Sequence, residues 1–316
     1  MSCSALPFLS QFRRRSRMES SKVSRSLPQL WRRTLVRAVL LYGFIPYLAV
    51  TVLFATFQRR LMYRPTVASS LKVLDVGLDT GFGRDVRLYT ADGCTLNGWL
   101  IQKTPVASES THAPLLIYFP GNSANRFERL GDLREVAATG FDILIFDYRG
   151  YGDSTGRPNA STLSADARLV WDFACSRLNY DPRRIVIFGE SLGGGVALSL
   201  WSNESPVAPA PAAIILNSTF TSMADVVAWH YPLFPFQYLL LDRWPSAERI
   251  SRVTSPIVVF HGTADKMIPV AQGRELARRS PNSRFIEVSG ASHNDIPMAE
   301  LRREFHRLCA ALTEEQ

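Results

Sequence analysis

Apolar and polar positions divide the chain into three regimes. Residues 1–37 are polar and basic, with no regular period. Residues 38–57, AVLLYGFIPYLAVTVLFATF, carry no charge on any face. As a helix, twenty residues span about 30 Å, the thickness of a bilayer's hydrocarbon core. Eleven of them are Leu, Ile, Val or Phe, which favours insertion by about 3 to 7 kcal/mol before discounts. Gly43 and Pro46 weaken a helix, but membrane helices tolerate both. The apolar stretch is longer than a signal-peptide core, its leader is long, and no clear A-x-A site follows. An uncleaved transmembrane anchor is expected. The third regime, from about residue 60, alternates short apolar runs with helix-length amphipathic segments.

Val86 to Thr90 and Thr95 to Gln102 flank Ala-Asp-Gly and predict a hairpin. Leu115–Phe119, Ile143–Phe146, Ile185–Phe188, Ile214–Leu216 and Ile257–Phe260 are unbroken apolar runs. Such runs predict strands buried on both faces, hence a parallel sheet. Phe285–Val288 is a further strand, and helices fit 126–139, 161–178, 192–203, 270–280 and 297–312. Residues 65–83 read as an irregular lead-in and 104–114 as a polar loop. The expected architecture is α/β, with about eight strands, antiparallel at first and mostly parallel afterwards. The segment 219–250 reads as a short apolar cap. The domain plan is a basic leader (1–37), an anchor (38–57) and a body (60–316) carrying that cap.

Charge sharpens this picture. The 316 residues carry a net charge of +8. Residues 1–37 hold nine Lys/Arg and one acid, whereas the remainder holds 27 bases and 27 acids. The basicity therefore belongs to the leader, and a nucleic-acid-binding body is not expected. Nine bases precede the span, while Arg59, Arg60 and Arg64 follow it. The positive-inside rule then expects a cytoplasmic N-terminus and a body on the far side. Four cysteines, at 3, 94, 175 and 309, show no metal-ligand spacing. No metal and no cofactor is expected, and the oligomeric state is left open.

Two pentapeptides match G-x-S-x-G: GDSTG at 152–156 and GESLG at 189–193. A nucleophile elbow needs a strand running into the serine and a helix running out of it. RIVIFGESLGGGVALSLW satisfies both demands at Ser191. GDSTG does not, because its strand ends near Tyr148, six residues before Ser154, and Pro158 follows where a helix should already run. Chains built around this elbow supply the acid and then the base in order after the serine. Asp265, just past Ile257–Phe260, is the candidate acid, with Asp225 and Asp242 weaker. His112, His230 and His261 precede Asp265, and RREFHRLCAAL predicts a surface helix around His306, so His293 is the candidate base. The oxyanion donors expected are the backbone N–H groups of Leu192 and of Asn122, the latter in the FPGN loop. The cap residues Trp229, Tyr231 and Phe234 are candidate substrate contacts for an acyl chain.

These motifs resemble a known family, the membrane-anchored α/β-hydrolases related to yeast and animal alpha/beta hydrolase domain-containing lipases and depalmitoylases. The matching stretches are FQRRLMYRP (57–65), YFPGNSANR (118–126), DYRGYGDSTG (147–156), GESLGGGVAL (189–198), NSTFTSMADV (217–226), FHGTADKMIPV (260–270) and SGASHNDI (289–296). They are collinear and run the length of the body. Pro120 departs from the pattern, since many relatives have His there. The resemblance implies the α/β-hydrolase fold and a Ser191–Asp265–His293 triad; relatives act on lysophospholipids, monoacylglycerols or acylated proteins, so it gives a substrate class and not a substrate. The expected function is a membrane-anchored serine hydrolase of carboxylic, lipid or acyl, esters. A hydrolase of peptide or thioester bonds and a non-catalytic anchored binding protein stay open as alternatives.

Overall fold

The computed structural model describes residues 27–76, 78, 83–102, 113–202 and 207–314. Most of the basic leader (1–26) and nearly all of the polar loop expected at 104–114 lie outside the described residues. The chain divides into two compact units, residues 1–56 and 57–316.

The first unit is helical over its described part. Helix α1 (Leu27–Val39) passes through a π-helical turn, Leu40–Phe44, into α2 (Ile45–Met62). The Ile45 N–H bonds Leu40 O, five residues back. Pro46, lacking an N–H, cannot make the bond an α-helix requires, and its ring crowds the preceding turn. The wider π turn absorbs both defects without ending the helix. The helical run Trp31–Met62 is 32 residues long, and it is long and apolar enough to cross a membrane.

The second unit, from Phe57, is built on an eight-stranded sheet. In chain order its elements are β1 (Arg64–Pro65), β2 (Gly83–Tyr89), β3 (Thr95–Ile101), β4 (Leu115–Phe119), β5 (Ser123–Ala124), α3 (Leu130–Ala137), β6 (Asp142–Phe146), α4 (Ala160–Ser176), β7 (Ile185–Glu190) and α5 (Leu192–Leu198). There follow β8 (Ala213–Asn217), α6 (Met223–His230), α7 (Phe236–Leu239), α8 (Ser246–Arg249), β9 (Ile257–Gly262), α9 (Val270–Arg278), β10 (Ser283–Val288) and α10 (Met298–Glu314). The sheet order is β10-β9-β8-β7-β4-β6-β3-β2. β2 and β3 pair antiparallel, as do β3 and β6, and all other pairs are parallel.

Burial follows position in the sheet. β4, β6 and β8 are buried at every residue, which is why their sequences are continuously apolar. Edge strand β10 has no fully buried residue, and Arg284 and Glu287 are exposed. Leu133 and Val136 of α3 and Leu301, Phe305 and Leu308 of α10 join the sheet residues Leu116, Val186, Phe188, Ile215 and Val258 in one core. Helix α4 opens with a capping box. The Asn159 carboxamide oxygen accepts the Thr162 N–H, and the Thr162 hydroxyl pairs with the Asn159 backbone.

Three elements depart from expectation. The helix expected from residue 126 starts at Leu130, because Asn125 ties the preceding turn by accepting the Phe127 and Glu128 N–H groups. The lead-in contains a strand, β1, paired parallel with β5, and Val67 bridges Gly152. It is further tied where Leu71 O accepts the Trp99 indole and an Arg126 N–H. The cap carries three short helices, α6 to α8, that its aromatic-rich sequence did not mark.

The sheet order also locates a crevice. From β4 the chain moves one place outward to β6, then returns to the opposite side of β4 as β7. Ligands of open α/β sheets bind at such a reversal, beyond the carboxyl ends of the strands. The loops leaving β4 and β7 are those that carry Asn122 and Ser191.

Candidate active site

β7 ends at Glu190 and α5 begins at Leu192, leaving Ser191 alone in the turn with φ 51° and ψ −115°. Non-glycine residues rarely adopt such angles, and strain of this kind persists only where surroundings enforce it. Here the enforcement is visible. The Ser191 N–H donates to Asn217 O (2.8 Å), and Ser191 O accepts the Thr219 hydroxyl (2.7 Å). Glycines allow the approach: a Cβ on Gly193 would meet Phe119 O at 1.9 Å, and one on Gly189 would meet Gly194 Cα at 2.7 Å. Three consecutive glycines at the start of α5 are poor helix formers, yet only glycine lets this helix lie against β4 and Thr219.

The turn aims the serine at a histidine. His293 Nε2 lies 3.0 Å from Ser191 Oγ, and its Nδ1 lies 2.7 Å from Asp265 Oδ2. The carboxylate can only accept, so Nδ1 carries the proton and Nε2 offers its lone pair to the hydroxyl. Asp265 stands beyond β9, as expected of a strand terminus. Its Oδ1 accepts the N–H groups of Met267 and Ile268, both at 2.8 Å. Burial pushes this carboxyl's pKa upward, but hydrogen bonds from His261, His293 and the Ile268 N–H outweigh it. The net effect holds Asp265 well below the ordinary carboxylate range. It is thus a fixed anion behind the imidazole.

His261 was passed over in the sequence because it precedes Asp265. In the structure it is fully buried, and its Nε2 lies 2.8 Å from Ile268 O and 3.3 Å from Asp265 Oδ2. Both neighbours are acceptors, so Nε2 carries a hydrogen. The ring's Nδ1 has no partner among the described residues and packs against Gly273, where a Cβ would approach it to 2.5 Å. The available signal was the four-residue spacing His261–Asp265 across the tight turn HGTAD. Glu190 was also missed. Its carboxylate accepts the Tyr118 hydroxyl and Arg129 Nη1 (3.2 Å), pinning the residue before the serine.

The oxyanion candidates adjoin the serine. A Cβ at Gly121 would lie 3.7 Å from Ser191 Cβ, so the Pro120–Asn122 loop borders the hydroxyl. The loop is held from outside: Asn122 Nδ2 donates to Met62 O (2.9 Å), while Asn122 O accepts Arg64 N–H and the Tyr151 hydroxyl. Leu192 opens α5 and is buried. Of the cap candidates, Tyr231 and Phe234 pack on buried Phe236 at ring separations of 5.4 and 4.7 Å. Trp229 is exposed.

The weaker acids have other occupations. Asp242 is buried and accepts Arg59 Nε (2.9 Å), Arg59 Nη2 (3.1 Å) and the Tyr63 hydroxyl (3.1 Å). Asp225 accepts the Thr221 and Ser222 hydroxyls at the start of α6. Ser154 of the second pentapeptide is buried in a loop; it donates to Asp147 O and accepts the Asn97 N–H, both at 2.9 Å. No cluster of three or more His, Cys, Asp or Glu able to hold a metal occurs among the described residues.

Residues 114–248 match the family model for the alpha/beta hydrolase fold. A protein of Mycobacterium tuberculosis (strain CDC 1551 / Oshkosh) is 38% identical over 282 residues, spanning 85% of this chain and 95% of that one. The chain belongs to the alpha/beta hydrolase family. This hydrolase is also 28% identical over 280 residues to the alpha/beta hydrolase domain-containing protein WAV2 of Arabidopsis thaliana, covering 82% of this chain and 88% of that protein. It is 29% identical over 275 residues to protein bem46 of Schizosaccharomyces pombe, covering 81% and 88%. Among solved structures, an esterase of Pyrococcus furiosus superposes with TM-score 0.61 at 18% identity, covering 79% of this chain and 98% of that chain. An acetyl xylan esterase of Paenibacillus sp. R4 superposes with TM-score 0.61 at 19% identity, covering 74% and 85%. At these identities the superpositions speak for the fold.

Proposed function

We propose that this hydrolase is a membrane-anchored serine esterase that cleaves carboxylic esters of lipids or acylated molecules through Ser191, His293 and Asp265. The observation that carries the reading is the unbroken hydrogen-bond chain from Ser191 Oγ to His293 to Asp265 at a strained strand–helix turn. In this reading His293 Nε2 takes the Ser191 proton as Oγ bonds to the acyl carbon. The carbonyl oxygen becomes an alkoxide received by the backbone N–H groups of Leu192 and Asn122. Collapse of the tetrahedral species expels the alcohol, which takes the proton from His293, and leaves an acyl ester on Ser191. A water then gives its proton to His293 and attacks the same carbonyl carbon. The acid departs and the proton returns to Ser191. Asp265, held anionic, stabilises the imidazolium at both stages.

An acyl substrate is favoured by the apolar, aromatic cap, where Trp229 is exposed and Tyr231 and Phe234 cluster on Phe236. A membrane anchor through residues 38–57 is favoured by the 32-residue helical run, long and apolar enough to cross a membrane, and the nine leading bases favour a cytoplasmic N-terminus with the body on the far side. Fluorophosphonate labelling tests the chemistry: the full-length protein should be labelled and Ser191→Ala should not. A screen of p-nitrophenyl esters of increasing chain length then reads the acyl preference. An unlabelled wild type, or a label surviving Ser191→Ala, overturns the reading. Carbonate should fail to wash the protein from membranes, and a C-terminal reporter active only outside the cytoplasm should be on.

A further inference from the structure

The cap presents more large apolar side chains to solvent than its own packing uses. Phe236 is buried and its ring neighbours cover it. Yet Leu233 is 84% exposed, Tyr238 76% and Leu241 65%. Monomeric surfaces rarely gather such groups without a partner. The last turn of α2 joins them. The Gln58 carboxamide brackets the cap edge, donating to Leu239 O (3.1 Å) and accepting the Leu241 N–H (2.7 Å). Arg59 and Tyr63 hold the adjacent Asp242. Leu61, one turn beyond Gln58, is 61% exposed.

Charge selects among occupants. The cap's three acids are all engaged: Asp242 is buried and paired with Arg59, Asp225 accepts the Thr221 and Ser222 hydroxyls, and Glu248 pairs with Arg252. Two exposed bases adjoin the apolar groups: Arg60 directly precedes Leu61 in α2, and the Arg243 guanidinium donates to Gln237 O, beside Tyr238. Apolar and aromatic side chains rimmed by arginines match the headgroup zone of a bilayer bearing anionic lipid. The helix that grips the cap is itself the continuation of the run long and apolar enough to span a membrane.

We propose that Leu61, Leu233, Tyr238 and Leu241 form a face that docks on the surface of the lipid bilayer, seating the cap against the lipid from which acyl substrates come. The inference deepens the anchored acyl-ester hydrolase reading and rests on it. The docked cap shortens the path of a lipid ester to Ser191 by removing the aqueous step.

The test uses full-length protein reconstituted in phosphatidylcholine vesicles with about one-fifth phosphatidylglycerol, enough anionic lipid to engage the rim. The four native cysteines are changed to serine, and a nitroxide is attached at Tyr238→Cys or, as control, at Arg183→Cys. Arg183 is exposed just before β7, at the opposite end of the strand from Ser191. The ratio of oxygen to nickel-chelate collisions should be at least about threefold higher at 238 than at 183, as for a group seated in the interface. Separately, the triple variant Leu233→Ser/Tyr238→Ser/Leu241→Ser should lose about tenfold in hydrolysis of a vesicle-embedded long-chain ester, the expected weight of a lost apolar docking face. Its activity on a soluble short ester should not change. Equal ratios at 238 and 183, dipolar broadening from a second copy, or undiminished vesicle hydrolysis each overturn the docking face. A wild type inert on every ester overturns the hydrolase reading instead, and the collision ratios still decide the docking.

Discussion

The two G-x-S-x-G pentapeptides obey one pattern and occupy opposite roles in the structure. At 189–193 a buried strand enters and a helix leaves, and the serine between them is held at positive φ with its hydroxyl 3.0 Å from an imidazole. At 152–156 neither element is present. The Ser154 hydroxyl faces inward and joins two backbone segments, Asn97 and Asp147. Glycines are needed in both places for different reasons. Gly193 admits the backbone of a neighbouring strand, whereas Gly152, at φ 53°, leaves room for the Asp147 carboxylate that binds Arg126. The lesson is that the motif's chemistry resides in the flanking elements, which decide whether a hydroxyl is presented or consumed.

The most direct way to break this contrast is to remove each hydroxyl. Ser191→Ala should abolish hydrolysis of a soluble p-nitrophenyl ester, a loss of about 10⁴-fold or more in kcat, with its melting temperature near that of wild type. If Ser154→Ala loses as much while remaining folded, the assignment of the two serines is wrong.

Next in size are the partners that only Ser191 possesses. His293→Ala and Asp265→Asn should each cost about 10³- to 10⁴-fold in kcat, and the double variant little more, because groups acting as a unit do not multiply. Cleanly multiplicative losses would show independent roles. His261→Asn should be milder, about tenfold in kcat with KM unchanged, since it acts through Asp265 rather than on substrate. A change confined to KM would remove His261 from that line.

Smaller effects sharpen the structural half of the comparison. Ser154→Ala should keep activity within about threefold but lower stability by about 1 to 3 kcal/mol, because the Asn97 N–H is left without its acceptor. Denaturant titration measures it. Asp265 also leaves a signature in acid. Its folded pKa lies below the ordinary value, so its contribution to stability is complete above the unfolded value of about 3.9 and is lost as pH falls through the folded value. The stability difference between wild type and Asp265→Asn should therefore be flat above about pH 5 and shrink below about pH 4. A difference that grows on acidification would contradict the held anion.

Much of this was legible before any coordinates. Strands β4, β6, β7, β8 and β9 announce themselves because burial on both faces demands unbroken apolar runs, and a run of this kind tolerates few other readings. Ser191 was legible because strand, serine and helix are contiguous, so the local chain carries its own context. Asp265 and His293 came from their order after the serine and their place beyond a strand; in the structure His293 lies against Ser191 and Asp265 against His293. The apolar run of α2 needed only length and absence of charge.

Contacts made across the chain were decided by the tertiary structure alone. The His261–Asp265 spacing is local, but the buried place of the ring depends on Gly273, in helix α9, leaving room for it. Glu190 meets Tyr118 across adjacent strands and Arg129 from the turn before α3. The latch joining Gln58, Arg59 and Tyr63 to Leu239, Leu241 and Asp242 spans more than 175 residues. Periodicity and motif spacing report a residue's immediate neighbours and the face it turns to the core. Pairings between distant polar groups depend instead on strand order and on the crossing from β4 to β6 and back to β7, which bring together side chains whose sequence neighbourhoods show no mark of one another.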